Sequence, residues 1–583
     1  IYGARAANGV VVITTKRGRA MDKAHVTLRT QWGISQLAKG EWNLMNTAER
    51  IQFEKEVGLD SGQDYDLLSK TDVNWRDMVF NDNAMLQNYD LSISRATEKL
   101  NYFVSGSFYD QDGIAQGSIF SRYSIRANAE VKASNWLKVG TNSMVAYEEV
   151  EQADAGSYSL SSPISACRFM LPYWNPYNSD GSLATNANGG WTGTTVNPIE
   201  WMDNNPVTNK KYKVLSVLFA EVTPIENLTY RIQFGADFTH STGFMQSFPS
   251  YQLNNGLGAA GRQSNDILNL TITNTLNYKF DINCDHHFNV MLGQEGIDYR
   301  AEGFTLTTRN QNNDYLTNIS SGTRASSWQD SSSAYSYVSV FGRAEYNYAD
   351  RYLGTYTYRY DGSSNFGPSN RWAGFHSFAA SWRFTNEKFF QPLTKVISNG
   401  KVRVGWGQTG NANIGGYKWG SPMSRMPSGL GMGYRPSQIP NTAIQWESQE
   451  QWNVGLDLGF FNDRINLTVD WYKKVSNDML MKLQLPSYMG TSGNGSSALA
   501  APYGNYGSIE NTGLEISLNT HPLTGNFQWD SDFQISFNKN KLKSLQNTAS
   551  AAIVGYGQWN DVVSMTNVGE SLFSFYGYVT DGV

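Results

Sequence analysis

The sequence has few cysteines, few charges and no long apolar run. Two of its 583 residues are cysteine, Cys167 and Cys284, which is too few for a disulfide framework or a cysteine-based zinc site. No stretch approaches the 18 or more apolar residues that a membrane-spanning helix needs. A helical membrane protein is therefore excluded.

Charge and aromatic content exclude two further classes of protein. The net charge of −5 argues against a nucleic-acid-binding protein, because such proteins carry a basic surface. Aromatic residues make up 13% of the chain, which argues against extensive disorder. Charged residues make up 17%, against about 25% in ordinary soluble domains.

Motifs that would indicate an enzyme are absent or lie in the wrong context. Residues 405–410 match G-x-G-x-x-G, but a loop follows where a dinucleotide site requires a helix. Asp285, His286 and His287 are adjacent, yet neighbouring residues of a strand point to opposite faces. We therefore predict no catalytic residues, no metal site and no cofactor, and we expect that the protein is not an enzyme.

The dominant pattern is an alternation of apolar and polar residues, which is typical of β-strands with two different faces. In residues 464–471, for example, Leu467 and Val469 alternate with Asn466 and Thr468. Roughly seventeen such segments follow one another, and many are longer than the usual strand of about 5–6 residues. The chain is therefore predicted to be all-β.

The connections between these segments alternate between short and long. Short turns are predicted near 97–99, 133–135, 224–227, 349–350, 462–463 and 524–526. Long loops are predicted near 36–84, 153–210, 242–262, 307–334, 411–446, 484–509 and from 542 onward. This asymmetry is typical of an outer-membrane β-barrel, which has short periplasmic turns and long outer loops. Closure of a barrel also satisfies every backbone hydrogen bond in lipid.

Aromatic residues cluster beside the turns. Tyr346, Tyr348 and Tyr352 surround the turn at 349–350, and Phe460 and Phe461 precede the one at 462–463. Such rings form girdles at the two membrane interfaces of a barrel, although strands are enriched in aromatic residues in any case. The first long loop contains one helical pattern over 44–57, with Asn46 or Thr47 as its N-cap and Gly58 as its stop.

The loop at 153–210 contains the candidate substrate contacts. Aromatic residues are interleaved there with small polar ones: Tyr173, Trp174, Tyr177, Trp191 and Trp201. Aromatic platforms beside amide groups suit sugar rings and also suit peptides. The alternative is that these rings pack on each other to form the core of the loop.

The first residues closely resemble the run that closes the plug of SusC/RagA-type TonB-linked outer-membrane transporters. This plug signature comprises Tyr2, Gly3, Arg5, Asn8, Gly9, Thr15, Lys16 and Gly18. Further motifs resemble the family in the same order along the chain: 71–77, 360–372, 404–411, 446–447, 455–457, 507–515 and 569–578. The resemblance therefore extends over essentially the whole chain.

The resemblance implies a transmembrane antiparallel β-barrel of 22 strands in the family, with an N-terminal plug. It implies import of large nutrients, mostly glycan oligosaccharides and sometimes peptides, across the outer membrane of a Gram-negative bacterium of the Bacteroidetes type. TonB with ExbB and ExbD would supply the energy, and a SusD-like surface lipoprotein would act as a lid.

The same resemblance sets the expected domain boundaries. Residues 1–18 are expected to be the C-terminal end of the plug domain, and residues 22–583 the barrel, with the TonB box outside this chain. The family barrel has 22 strands, whereas the alternation predicts roughly seventeen in this sequence. About five strands are therefore expected to be missing at the C-terminal end. A passive porin or adhesin barrel remains an alternative, but porins have no N-terminal plug. A soluble all-β glycan-binding protein or hydrolase is a third alternative, but it would have to cover the apolar faces of its strands.

Overall fold

A computed structural model of the chain describes most of the 583 residues. The described residues are 3, 7, 9–10, 12, 14–18, 23–38, 44–59, 62–152, 163–185, 197–482, 488, 499–545, 552–557 and 561–579. Every structural statement below refers to these residues.

The strands account for most of the described chain. The first group is β1 (His25–Ser35), β2 (Ala84–Ala96), β3 (Leu100–Asp112), β4 (Ile119–Lys132), β5 (Leu137–Gln152), β6 (Val207–Ile225), β7 (Leu228–Ser247), β8 (Gly258–Ile282), β9 (His286–Gln311), β10 (Arg324–Tyr348) and β11 (Tyr352–Ser363). The second group is β12 (Trp372–Trp382), β13 (Ile397–Asn411), β14 (Met423–Ser428), β15 (Gly431–Pro436), β16 (Glu447–Phe460), β17 (Ile465–Lys482), β18 (Tyr503–Thr524), β19 (Gln528–Leu545), β20 (Ala552–Tyr556), β21 (Val562–Asn567) and β22 (Ser574–Phe575). The prediction of an all-β chain is confirmed.

Seventeen of these strands form one antiparallel sheet. Each strand from β1 to β13 pairs with its neighbours in chain order, β13 pairs with β16, and the order continues to β19. Among the described strands, β1 pairs with β2 alone and β19 with β18 alone. The hairpin β14–β15 and the small sheet β20–β22 lie outside the large sheet.

The helices are short and lie in the long loops. They are α1 (Thr47–Glu56), α2 (Tyr65–Leu68), α3 (Trp75–Val79), α4 (Pro163–Ala166) and α5 (Pro198–Asn204), and 3-10 turns cover Gln252–Asn254, Ile319–Ser321, Pro368–Asn370, Phe384–Asn386 and Lys388–Leu393. The helix predicted over 44–57 is confirmed as α1. It begins after Asn46, because Asn46 and Glu49 form a capping box there. Within the described chain, no helix is both long and apolar enough to cross a membrane.

The two faces of the sheet differ in chemistry, as the alternation predicts. Along one face, residues that are directly opposite each other on β13 and β16–β19 form an aliphatic row: Val402, Leu456, Val469, Ile516 and Ile535. On the other face Arg403 binds Asp457 at 2.7 Å and Asp470 at 3.0 Å. We call the polar side the inner face, because the N-terminal run contacts it.

The outer face carries an apolar band of membrane dimensions. On β7, side chains of alternate residues from Tyr230 to His240 share the outer face, with Ile232, Phe234 and Phe238 between them. Ten residues of strand rise roughly 33 Å, and the usual barrel tilt of about 40° reduces this to roughly 25 Å along the membrane normal. That height equals the apolar band of an outer-membrane barrel.

Rings form rows near both ends of the strands. On the loop side, Tyr89, Phe108, Tyr123, Tyr147, Tyr212 and His240 follow β2–β7, with successive ring centroids 4.9–6.4 Å apart. On the turn side, Phe280, Phe288 and Tyr346 are stacked or tilted at 4.9 Å. Both rows lie on the outer face, which supports the interpretation of girdles.

Two of the predicted long loops are largely strand, which corrects the sequence analysis. The loop predicted at 242–262 is reduced to 248–257 between β7 and β8, and the one at 307–334 is reduced to 312–323 between β9 and β10. Beyond the apolar band both faces of a strand meet water, so the neighbouring residues Ser331 and Ser332 of β10 are both exposed although they point to opposite faces. Such a strand shows no apolar alternation.

The assignment of faces predicts a difference between neighbouring positions of β17. Leu467 lies opposite Leu458 and Leu518 on the outer face, close to the turn at 462–463, so Leu467→Arg should destabilise the membrane-inserted full-length protein, by less than the roughly 2–4 kcal/mol that an arginine costs at the membrane midplane. Thr468 lies beside Asp457, to which its hydroxyl donates at 3.3 Å, so Thr468→Arg should be tolerated. Urea unfolding in lipid vesicles measures both variants, and equal destabilisation would contradict the assignment.

Candidate functional site

The N-terminal run lies against the inner face of the sheet. A Cβ atom on Gly3 would overlap the side chains of Arg359 and Asp361 on β11. Further along the run, the ammonium group of Lys474 on β17 donates to the carbonyl of Ala7 at 2.8 Å. Gly3 and Ala7 are both buried, so the run is packed on the wall and not merely adjacent to it.

The part of the wall that contacts Gly3 is a buried group of charged side chains. The guanidinium of Arg359 donates to Asp361 at 2.6 Å, to Glu295 at 3.0 Å and to the hydroxyl of Ser339 at 2.8 Å. Arg359 is 6% exposed and Asp361 1%. Because each charge is paired and hydrogen-bonded, the group can stay buried and gives Gly3 a rigid surface.

A cavity of about 330 Å³ lies beside Gly3 on the inner face. Small residues and amides contribute to its lining, including Ser377, Gly407, Gln449 and Gln451. Gly405 and Gly407 lie within β13, so the glycine pattern at 405–410 belongs to the wall and not to a dinucleotide-binding turn.

The end of the run contacts a different part of the wall. The carbonyl of Lys16 accepts from Asn128 on β4, and the backbone N–H of Gly18 donates to Asn101 on β3. Of the plug signature, Gly3, Gly9, Thr15, Lys16 and Gly18 are described, whereas Tyr2, Arg5 and Asn8 lie outside the described residues.

The aromatic loop is divided between packing and exposure. Tyr173 is 4% exposed and Trp174 7%, and both belong to a buried cluster with Ile51, Trp75 and Val79. The hydroxyl of Tyr173 donates to Glu54 at 3.0 Å, and burial together with this carboxylate raises the pKa of the phenol. Neither ring presents a face for stacking on a substrate, which favours the loop-core alternative for these two residues.

The other three aromatic residues are placed differently. Tyr177 is 43% exposed, Trp201 is half-buried on α5, and Trp191 lies outside the described residues. Next to the buried cluster an open cavity of about 980 Å³ lies between α1, residues 72–76 and residues 167–172. The loop side therefore offers a concave surface that the sequence did not indicate.

A buried carboxyl group joins two of the long loops. Glu200 on α5 accepts from the backbone N–H of Gln252 at 3.2 Å and from its side-chain amide at 2.8 Å. Burial raises the pKa of Glu200, and the bonds from Gln252 offset only part of that increase. We call the pair formed by Glu200 and Gln252 the loop brace.

Several of the sequence motifs meet in one cluster on the loop side. The ring of Phe366 is fully buried and lies 4.8 Å from that of Trp446. Asn365 donates to the carbonyl of Ala412 at 2.8 Å. The motifs at 360–372 and 446–447, together with Ala412 directly after the motif at 404–411, thus hold three loops together.

The wall residues that hold the N-terminal run were not predicted from the sequence. Arg359 and Lys474 occupy inward positions of long strands, and Asn101 and Asn128 do so on β3 and β4. Arg359 lies between two aromatic residues in the sequence. This pattern could have predicted a charged side chain on the inner face of a strand. His286 begins β9 and bonds Tyr346, whereas His287 bonds Asp281, so the His pair does not converge on one site.

The outer apolar band, the polar inner face and the long antiparallel strands define an outer-membrane β-barrel. The chain belongs to the TonB dependent receptor-like, beta-barrel family, whose model matches residues 168–582. Membership of this family agrees with the outer-membrane location and the family resemblance drawn from the sequence, and both are confirmed.

Relatives agree with this assignment. TonB-dependent receptor P3 of Formosa agariphila is 28% identical and covers 100% of this chain and 58% of its own length. TonB-dependent receptor SusC of Bacteroides thetaiotaomicron is 28% identical, with 99% of this chain and 59% of that protein covered. A solved structure of the RagAB peptide transporter matches 98% of this chain and 66% of its own, at 27% identity and a TM-score of 0.88. The chain thus spans less than two thirds of the length of these relatives.

Trp174 is predicted to stabilise the loop cluster. Trp174→Ala should cost about 3–5 kcal/mol of local stability because it empties a buried site. Hydrogen exchange of α1 and α3 in the full-length protein measures the loss. Tyr177→Ala is the matched control and should change exchange little, since its ring is half-exposed. Unchanged exchange together with weaker substrate binding in Trp174→Ala would restore the substrate-contact interpretation.

The loop brace should depend on pH. Burial raises the folded-state pKa of Glu200. The contribution of Glu200 to the stability of the two loops is therefore complete below the ordinary pKa of a glutamate, about 4.3. This contribution is lost as pH rises through the folded-state pKa. Glu200→Gln keeps an acceptor for Gln252 and removes the titration. In the parent protein, the hydrogen-exchange rate of α5 should therefore rise with pH more steeply than the intrinsic exchange rate of an unprotected amide. In Glu200→Gln the two rates should rise in parallel. Glu56→Gln, an exposed site on α1, is the control, and identical pH profiles in all three proteins would refute the brace.

Proposed function

We propose that the protein imports large nutrients, mainly glycan oligosaccharides, across the outer membrane with energy delivered by TonB, ExbB and ExbD. A SusD-like surface lipoprotein closes over the loop side as a lid. The observation that carries the proposal is the N-terminal run across the inner face. A passive pore needs an open interior, whereas a barrel crossed by its own chain needs energy to move that chain.

The substrate class is inferred from one relative and from the partly exposed rings of one loop. SusC is among the relatives, and the loop at 153–210 offers Tyr177 and Trp201 as partly exposed rings, with Trp191 as a further candidate. An aromatic ring brings a large contact area at a low entropy cost, and this supports stacking on sugar rings. Import of peptides by the same mechanism is the second candidate, because the RagAB relative is named a peptide transporter. The names of the relatives support a role without catalysis.

Uptake by the full-length protein tests the proposal. Cells expressing it together with a SusD-like lipoprotein receive fluorescent oligosaccharides or, separately, fluorescent peptides. Accumulation of oligosaccharide that disappears when TonB is deleted is the expected result. Accumulation of peptide alone favours the second candidate, and uptake that persists without TonB contradicts active import.

Tyr177→Ala and Trp201→Ala should weaken oligosaccharide binding. A well-desolvated aromatic anchor can be worth about 2 kcal/mol, which corresponds to roughly thirtyfold in affinity. Titration calorimetry on the purified full-length protein measures the change, and Tyr315→Ala, an exposed ring in the 312–323 loop, is the control. Unchanged affinity in both variants would remove these residues from the site.

A further inference from the structure

One connection on the turn side of the barrel is much longer than the others. Residues 383–396, a connection of 14 residues, join β12 to β13. The other described connections on this side have two to four residues, as at 226–227 and 461–464. Reversal of the chain needs only a short turn, so the additional length has another use. We call residues 383–396 the turn-side elbow.

The turn-side elbow folds onto the outer face of the barrel. Gly400 of β13 lies directly opposite Leu458, which belongs to the apolar outer face. A Cβ atom on Gly400 would overlap the ring of Phe384, and a side chain of a strand points to one face only. The ring therefore covers the outer face. The backbone N–H of Gly400 also donates to the hydroxyl of Thr385 at 3.2 Å, so two consecutive residues of the elbow are held there.

A buried carboxylate joins the turn-side elbow to two aromatic residues of the outer face. Glu387 is 8% exposed and accepts from the hydroxyl of Tyr352 at 2.6 Å and from the indole N–H of Trp382 at 3.2 Å. Tyr352 and Trp382 are directly opposite each other at the turn-side ends of β11 and β12. Tyrosine and tryptophan favour the interface between membrane and water. Glu387 therefore holds the elbow at the level of that interface.

The 3-10 helix of the elbow, Lys388–Leu393, has two apolar sides and one polar side. Residues three apart lie above one another in such a helix, which gives the pairs Phe390 with Leu393, Phe389 with Pro392, and Lys388 with Gln391. The rings of Phe390 and Phe384 are 5.0 Å apart, so the first of these sides is turned toward the wall. The side of Phe389 is left facing away from the protein.

The apolar residues of the elbow are exposed as a group. Phe389 is 69% exposed, Leu393 53% and Val396 47%. Phe461 of the neighbouring turn is 51% exposed, and its backbone N–H donates to the carbonyl of Val396 at 2.9 Å. A group of this kind marks a surface that another apolar phase covers. Through Phe384 it is continuous with the outer face, which already meets lipid, so the membrane is the occupant that the position favours.

Two lysines accompany this apolar surface. Lys388 begins the 3-10 helix and Lys395 follows it, and both are exposed. A lysine can lay its apolar stem on the surface while its ammonium group reaches the water, and cationic side chains beside a membrane attract anionic headgroups.

We propose that the turn-side elbow is an interfacial anchor that binds the phospholipid leaflet on the turn side. The side of Phe389 enters between acyl chains, and Lys388 and Lys395 bind the phosphate groups of anionic phospholipids. This arrangement is that of an amphipathic helix lying in the plane of a membrane interface. The anchor depends on the outer-membrane location of the barrel and not on which nutrient the barrel carries.

A spin label on the elbow tests the insertion. The full-length protein carries Phe389→Cys or, to keep that ring, Leu393→Cys, in a Cys284→Ser background in which Cys167 is buried. Each nitroxide-labelled protein is reconstituted in vesicles of phosphatidylethanolamine and phosphatidylglycerol. Relaxation of the label by oxygen, which concentrates among acyl chains, is compared with relaxation by a water-soluble nickel chelate.

Two reference positions calibrate the measurement. Leu218→Cys lies on the outer face and is the reference for lipid, whereas Glu98→Cys lies in the turn at 97–99 and is the reference for water. Labels at 389 and 393 are expected to follow the lipid reference, with oxygen more effective than the chelate. Labels that follow the water reference would overturn the proposal, because the apolar side would then be open to a protein partner instead.

The role of the lysines is tested by the choice of lipid. In the double variant Lys388→Gln with Lys395→Gln, the association of spin-labelled phosphatidylglycerol relative to spin-labelled phosphatidylcholine should fall. Lys99→Gln with Lys132→Gln removes two other exposed lysines on the turn side and is the matched control, in which the ratio should stay unchanged. An unchanged ratio in the elbow variant, or an equal fall in both variants, would refute headgroup binding by the elbow.

Discussion

Hydrogen bonding of the backbone in a medium without water is the constraint on which this structure depends. Lipid offers no partner for an N–H or C=O group, so each strand has to pair along its whole apolar length. Strand pairing occupies the hydrogen-bonding groups of the backbone. Only the side chains then distinguish the two faces of the sheet. Apolar rows such as Leu456 and Val469 then belong outside, and groups such as Arg403 with Asp457 and Asp470 belong inside. Specific polar chemistry within the membrane is thereby restricted to the inner face.

Features that depend on this local rule could be predicted from the sequence. The alternation located the strands, and the capping box at Asn46 located α1, because both signals lie within a few residues of the element they describe. The rule fails outside the membrane, where both faces of a strand meet water. The loop-side parts of β7–β10 were therefore mistaken for loops. The polar residues there, such as Ser331 and Ser333, are compatible with either state, and only pairing with a neighbouring strand decides between them.

The site could be predicted only in part, since burial depends on contacts between distant segments. Tyr173 and Trp174 were chosen because rings among small polar residues suit a ligand. Their role is decided by Glu54 and Trp75, about a hundred residues earlier in the chain. Composition of a single loop contains no information on such a partner. The family resemblance identified the run at 1–18, but it did not say which wall residues receive it.

The geometry of the run explains why its signature is rich in small residues. The wall groups that reach it, Asn101, Asn128 and Lys474, bind backbone atoms, and such contacts require no particular side chain in the run. What they require is close approach, and any Cβ atom on Gly3 or Gly18 would overlap the wall. Gly9 has open space around it but a φ of +96°, which side chains disfavour. Gly3 and Gly18 are thus explained by their close approach to the wall, and Gly9 is explained by its backbone conformation. The fit of the run to the wall therefore depends on the shape of its backbone path, to which the ion pair between Arg17 and Glu130 adds one side-chain contact.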